Sequence, residues 1–170
     1  MSSPARQRLF ERLGAHIQSM KLGDEAFAAI QVARNVFQCQ HAAMDARTEI
    51  ARDHGLTPGA LFSLLLLRSC YPDEPVTPTE LREVVMLTSG GMAKVLHHLE
   101  DRELVTRLPH PTDARSTTLV LTEAGVELID SITPLIADKD RELFTSPLTE
   151  PEVVELTRLL DKVRAGFRRR

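Results

Sequence analysis

The sequence has no tryptophan and one tyrosine, and aromatic residues make up only 4% of its 170 residues. A core built on large rings is therefore excluded. Leu, Val, Ile and Ala must fill it, as in a helical protein. Cysteine is nearly absent: Cys39 and Cys70 do not have the paired spacing of a zinc site. The opening "MSSPARQRLFERLG" has no apolar signal region. Together with only two thiols, this points to a reducing, cytoplasmic setting. Long hydrophobic runs are also missing. The longest, "ALFSLLLL", is far short of the roughly 20 residues that cross a bilayer, so a soluble chain with no membrane partner is expected. Nor is there an excess of basic charge. The net charge of −3 means that any nucleic-acid surface must be local.

What is present reads as a series of helices broken once by a hairpin. Apolar residues, 42% of the chain, are enough for a packed core. Leu9, Leu13, Ile17 and Met20 recur at helical spacing and predict a short N-terminal helix. Asp24 is placed to cap the next helix. That helix carries no Gly or Pro until Gly55 and is expected to run about 30 residues, well beyond the usual 10–14. Such a length suits packing against a second subunit. In "LTPGALFSLLLLRSCYP", Thr57 caps and Pro58 takes the first helical position. In "VTPTELREVVMLT", Thr77 and Glu80 make a capping box. "TSGGMAKVLHHLEDREL" is the next helix, capped by Thr88 or Ser89. "LVTRL" and "STTLVLT" then switch to β-branched residues around Pro109, Pro111 and Asp113, which predicts a hairpin with a polar tip. Thr122 caps a long helix containing Pro134, and Thr149 caps the last one, which precedes the Arg168–Arg170 tail.

A short helix followed at once by a second helix and a hairpin is the order of a winged helix-turn-helix. On a wheel of about 100° per residue, Met92, Val95, Leu96 and Leu99 share the arc that must face the core. Gly90, Gly91, Lys94, His97 and His98 share the opposite arc. The acids Glu100, Asp101 and Glu103 come later, so the first two turns can approach phosphate without repulsion. The glycines let the backbone approach closely, and the helix start favours an anion. Other chemistries fit less well. A phosphate loop needs a preceding strand and a Ser or Thr after its Lys, and Lys94 has neither. His97 and His98 are adjacent, whereas metal-binding helix pairs are four apart, so no metal or other cofactor is expected. Cys39, midway along the long helix, reads as a packed thiol. No nucleophile, base and acid fall into a catalytic pattern, so an enzyme is not expected.

These segments, with "TSGGMAKVLHHLEDRELVTR" and the wing "DARSTTLVLTEAG", resemble the MarR family of winged helix-turn-helix regulators from residue 24 to 170. The resemblance implies a mainly α fold with a small β-hairpin wing. It implies an N-terminal extension over 1–23, a long dimerisation helix over 24–55, a DNA-binding lobe over 56–122 and C-terminal dimerisation helices over 123–170. It further implies a homodimeric DNA-binding regulator, most often a repressor, acting on a pseudo-palindrome of double-stranded DNA and released by a small aromatic or anionic effector.

Carried over position by position, Arg115 matches the wing arginine of the minor groove and Asp113 the acid that orients it. Ser89, Gly90, Lys94 and His98 match the recognition-helix face. Thr88, Gly91 and His97 on the same helix, Thr77 and Thr79 on the preceding one, and Ser116 on the wing complete the candidate DNA contacts. Phe37, Gln40, His41 and Met44, with Phe62 and Leu66, are the candidate effector lining. Two departures stand out. The family usually has Gly where Glu103 stands, and the recognition face has no Arg, the commonest guanine reader. Two alternatives stay open: a metal- or redox-responsive regulator of the same fold, and an interaction module that no longer binds DNA.

Overall fold

A computed structural model describes residues 4–20, 22–70, 74–113 and 116–167. Seven helices and one hairpin follow in the order α1 (Pro4–Ser19), α2 (Asp24–Asp53), α3 (Pro58–Cys70), α4 (Pro78–Val85), α5 (Ser89–Asp101), β1 (Val105–Pro109), β2 (Thr117–Leu121), α6 (Glu123–Asp140) and α7 (Glu150–Phe167). A π-helical segment, Arg141–Thr145, extends α6.

Local chemistry accounts for most of the boundaries. Thr57 accepts the Ala60 N–H at 3.1 Å. Thr77 accepts the Glu80 N–H while the Glu80 carboxylate accepts the Thr77 N–H, a complete capping box that satisfies two otherwise orphaned donors. Thr88 and Thr122 accept from Gly91 and Gly125. One expected cap is corrected: Gly23, not Asp24, is the N-cap of α2, and no side chain caps it. Asp24 instead begins the helix, where its charge meets the positive end of the dipole.

Two helices end alike. At the end of α2 the Leu56 N–H reaches the Ala51 carbonyl and the Gly55 N–H that of Arg52. At the end of α5 the Leu104 N–H reaches Leu99 and the Glu103 N–H reaches Glu100. Both are Schellman ends, which place one residue in left-handed backbone. At the first that residue is Gly55, φ +66°. At the second it is Glu103, φ +55°.

The core lies between the end of α2, α3, α4, α5, the hairpin and α6. Leu61, Leu64, Leu81, Leu99, Ile129 and Ile132 are fully buried, and truncating one such residue to Ala costs about 2–5 kcal/mol. β1 and β2 pair antiparallel from Val105↔Leu121 to Pro109↔Thr117, and Val76 adds a bridge to Leu119. Gly125 is required by packing: a Cβ there would lie 2.1 Å from the Leu104 carbonyl oxygen. That carbonyl accepts the Thr122 N–H, and the Thr122 hydroxyl donates to Glu103 O at 2.6 Å. The "LTEAG" run thus locks α6 onto the end of α5.

By contrast α7 buries no residue. Leu156, Leu159, Leu160, Val163 and Phe167 are exposed, as are Val32, Val36 and Met44 on α2 and Leu9 and Leu13 on α1. Cys39 is exposed, which corrects its reading as a packed thiol: its face of α2 has no cover within one chain.

Candidate nucleic-acid interface

Met92, Val95, Leu96 and Leu99 are the buried residues of α5. That anchoring presents the opposite arc to solvent. The two glycines on that arc have different reasons to be glycine. A Cβ on Gly91 would meet Thr88 Oγ1 at 3.2 Å, so the cap itself disfavours a side chain. A Cβ on Gly90 would meet nothing within 4 Å. The fold gives no packing reason for glycine at Gly90, and without a side chain the backbone there is open to close approach.

Lys94 is exposed on the same arc and makes no ion pair with a described residue. Ser89 accepts from Arg82 at 3.0 Å. The sequence reading missed Arg82, which sits on α4 seven positions earlier with no spacing rule to flag it. Its guanidinium lies beside the start of α5, with the Glu83 carboxylate 3.9 Å from it. One of the acids farther along, Glu100, has a cationic partner. Arg107 on β1 pairs with Glu100, and His97 stands 3.4 Å from Asp101. Repulsion of phosphate from that end is therefore weaker than the acid count implies.

The other candidates fall in several places. The Thr77 side chain is engaged in its capping box. Its N–H first, and its hydroxyl second, hold the Glu80 carboxyl below the ordinary range. Thr79 is exposed in the first turn of α4, and Thr88 caps α5. His98 turns away from the open arc to the Gly55 carbonyl. At the wing tip the His110 N–H meets Ser116 O and the Ser116 N–H meets Asp113 O, so Asp113 and Ser116 lie in one tight loop. Arg115, the expected minor-groove residue, lies outside the described residues, as do Arg168–Arg170.

The six expected effector-lining residues are not brought together. Met44 and Phe62 share a crevice of about 290 Å³ with Arg47, Leu65, Val85 and Leu87. His41 lines a different cavity, under α1, where its ring and that of Phe37 meet Phe10. Leu66 lines a third depression beside Cys70 and Val84. Gln40 is exposed and lines none of these three. The reason is geometric: α2 faces α1 on one side and α3 on another, and spacing alone does not say which neighbour a residue meets. Among the described residues no group of three His, Cys, Asp or Glu could hold a metal ion, and no helix is long and apolar enough to cross a membrane.

A sequence model of the MarR family matches residues 56–117, which span α3 to the start of β2. The chain is 36% identical over 110 residues to the HTH-type transcriptional regulator MhqR of Bacillus subtilis, covering 65% of this chain and 73% of that protein. It is 33% identical over 88 residues to the multiple antibiotic resistance protein MarR of Escherichia coli, covering 52% of this chain and 61% of that protein. A structure of a cysteine-to-serine variant of E. coli MarR complexed with operator DNA superposes with a TM-score of 0.66 at 27% identity, covering 83% of this chain and 99% of that one.

Proposed function

The chain belongs to the MarR family of transcriptional regulators, and on that premise we propose that it is a homodimeric, cytoplasmic repressor that reads a pseudo-palindromic operator and releases it on binding a small aromatic or anionic effector. The observation that carries this reading is the sorted surface of α5. Its first two turns combine an open Gly90, an uncommitted Lys94 and a neighbouring Arg82 with no acid, and the wing stands beside them. In this reading α5 enters the major groove. Arg115, held by Asp113, enters the adjacent minor groove, whose narrow, negative form attracts a guanidinium.

Dimerisation follows from the uncovered apolar residues of α7, α2 and α1, too many for a solvated surface. Two lobes on two-fold DNA then meet half-sites about 34 Å apart. The effector takes the crevice between α2, α3 and α4, where Met44 and Phe62 supply apolar walls and Arg47, paired with Asp140, also lines the space. It acts by favouring a dimer in which that spacing is lost.

The test is a mobility shift on the DNA upstream of the gene, repeated with Arg115→Ala. The variant should bind more weakly and lose about one contact from the salt slope. Unchanged binding and slope would remove the wing from the interface, and a stable monomer by light scattering would remove the two-fold mechanism.

A further inference from the structure

Helix α5 contains no arginine, the side chain that most often reads guanine from the major groove. A guanidinium nevertheless stands at its start. Arg82 reaches over from α4, and its Nη1–H donates to the Ser89 hydroxyl oxygen at 3.0 Å. Ser89 is the first residue of α5 and is exposed.

The turn between the two helices does not need this side chain. The Met86 and Leu87 N–H groups both reach the Arg82 carbonyl, which belongs to the backbone. Thr88 caps α5, and Leu81 anchors α4 in the core. An exposed contact between Arg82 and Ser89 adds little to an already fastened turn.

The surroundings decide what the guanidinium can meet. It has five N–H donors in one plane, and Ser89 takes one of them. The Glu83 carboxylate lies 3.9 Å from Nη2. That is beyond hydrogen-bond distance, so Glu83 offsets charge without taking a donor. A cation with an acid beside it is a weak anchor for phosphate. Its remaining donors still suit the neutral, dipolar acceptors of a base edge. The next residue, Gly90, adds no side chain, and a Cβ there would meet nothing within 4 Å, so the first turn of α5 is open to an approaching base pair.

We propose that Arg82 is a specificity-determining residue that reads one guanine in each operator half-site. Two parallel N–H donors of the guanidinium match the O6 and N7 acceptors of guanine. Ser89 is a positioning residue, whose oxygen holds the guanidinium at the start of the recognition helix. This assignment rests on the reading that α5 enters the major groove. It puts part of the sequence readout on α4, the helix that precedes α5.

The experiment selects bound duplexes from a randomised pool with the full-length protein, then measures mobility shifts on the selected site. Wild type should enrich a guanine in each half-site, and its exchange for adenine should weaken binding about tenfold, within the range of a bidentate base contact. Arg82→Met should bind the guanine and adenine sites within about twofold of each other and keep the other preferences. Its salt slope should match wild type, because the contact is to a base and not to phosphate. Arg82→Lys keeps the charge without the fork, so it should lose the same preference, and it serves if Arg82→Met does not fold. An unchanged guanine preference in both variants would overturn the assignment. So would a uniform loss over all sequences with a slope lower by about one contact, which would make Arg82 a phosphate contact. Wild type that enriches no sequence would defeat the reading of α5 and this assignment with it, whereas wild-type enrichment that survives both substitutions defeats the assignment alone.

Discussion

His98 Nε2 lies 3.1 Å from the carbonyl oxygen of Gly55. A carbonyl only accepts, so Nε2 carries the proton and donates. One turn on, Arg102 donates to the same oxygen at 2.9 Å and to the His54 carbonyl at 3.1 Å. Carbonyls left without helical partners at the end of α2 thus find donors on α5. These contacts tie the far end of α5 to the end of the helix proposed to carry the dimer.

His98→Ala should therefore lower stability by about 0.5–1.5 kcal/mol, the worth of one hydrogen bond. It should leave the salt slope of operator affinity unchanged, because a bracing imidazole touches no phosphate. Denaturant unfolding and mobility shifts at several salt concentrations check both. A slope reduced by about one contact would return His98 to the DNA face that its place on the helix wheel suggests.

The two glycines at the start of α5 should separate stability from binding. Gly90→Ala enters open space and should stabilise the fold by up to about 1 kcal/mol through helix propensity, while weakening the operator complex by its bulk. Gly91→Ala meets the Thr88 hydroxyl at 3.2 Å and should gain less or lose stability. Thermal unfolding beside a mobility shift reads both quantities. Operator affinity unaffected by Gly90→Ala would show that no backbone approaches there.

Much of this fold could be read from local signals. The Thr77–Glu80 box, the caps at Thr57, Thr88 and Thr122, and the buried Met92, Val95, Leu96 and Leu99 all follow from spacing over one or two turns. What could not be read depends on neighbours distant in sequence. The resemblance groups Phe37, His41 and Met44 of α2 as effector lining, but no local pattern says that the first two meet Phe10 of α1 while Met44 lies against α3. No pattern announces that Arg34 lies under Gly14, or that Arg82 reaches Ser89. His98 misleads for the same reason: its wheel position is outward, yet the α2–α3 turn stands within its reach.

Glu103 is an ordinary side chain in backbone that favours glycine, φ +55°. Glu103→Gly should raise stability by about 0.5–1 kcal/mol, the left-handed penalty less the added freedom of the unfolded chain. Gly55→Ala, at φ +66° in the matching end of α2, should lower stability by about 1 kcal/mol. Urea unfolding of both variants tests the pair. A destabilised Glu103→Gly would mean that the Glu side chain itself holds the helix end.

The contact that fastens α1 should weaken in acid. The hydrogen bond from Arg6 is the main reason the Asp45 carboxyl is held below its ordinary range. A lowered folded-state value means the stabilisation is complete above the ordinary carboxylate range and is lost as pH falls through the folded value. His41 on the same helix also acts on this carboxylate, and Glu49, Lys139 and Glu142 line a depression with Asp45, so the comparison must be made against Asp45→Asn. Hydrogen exchange of α1 amides should quicken as pH is lowered below that range in the wild type, after correction for intrinsic rates. In Asp45→Asn it should already be fast at neutral pH and change little. Equal protection of α1 in the two proteins at neutral pH would show that the apolar contacts of Phe10 hold the helix without the ion pair.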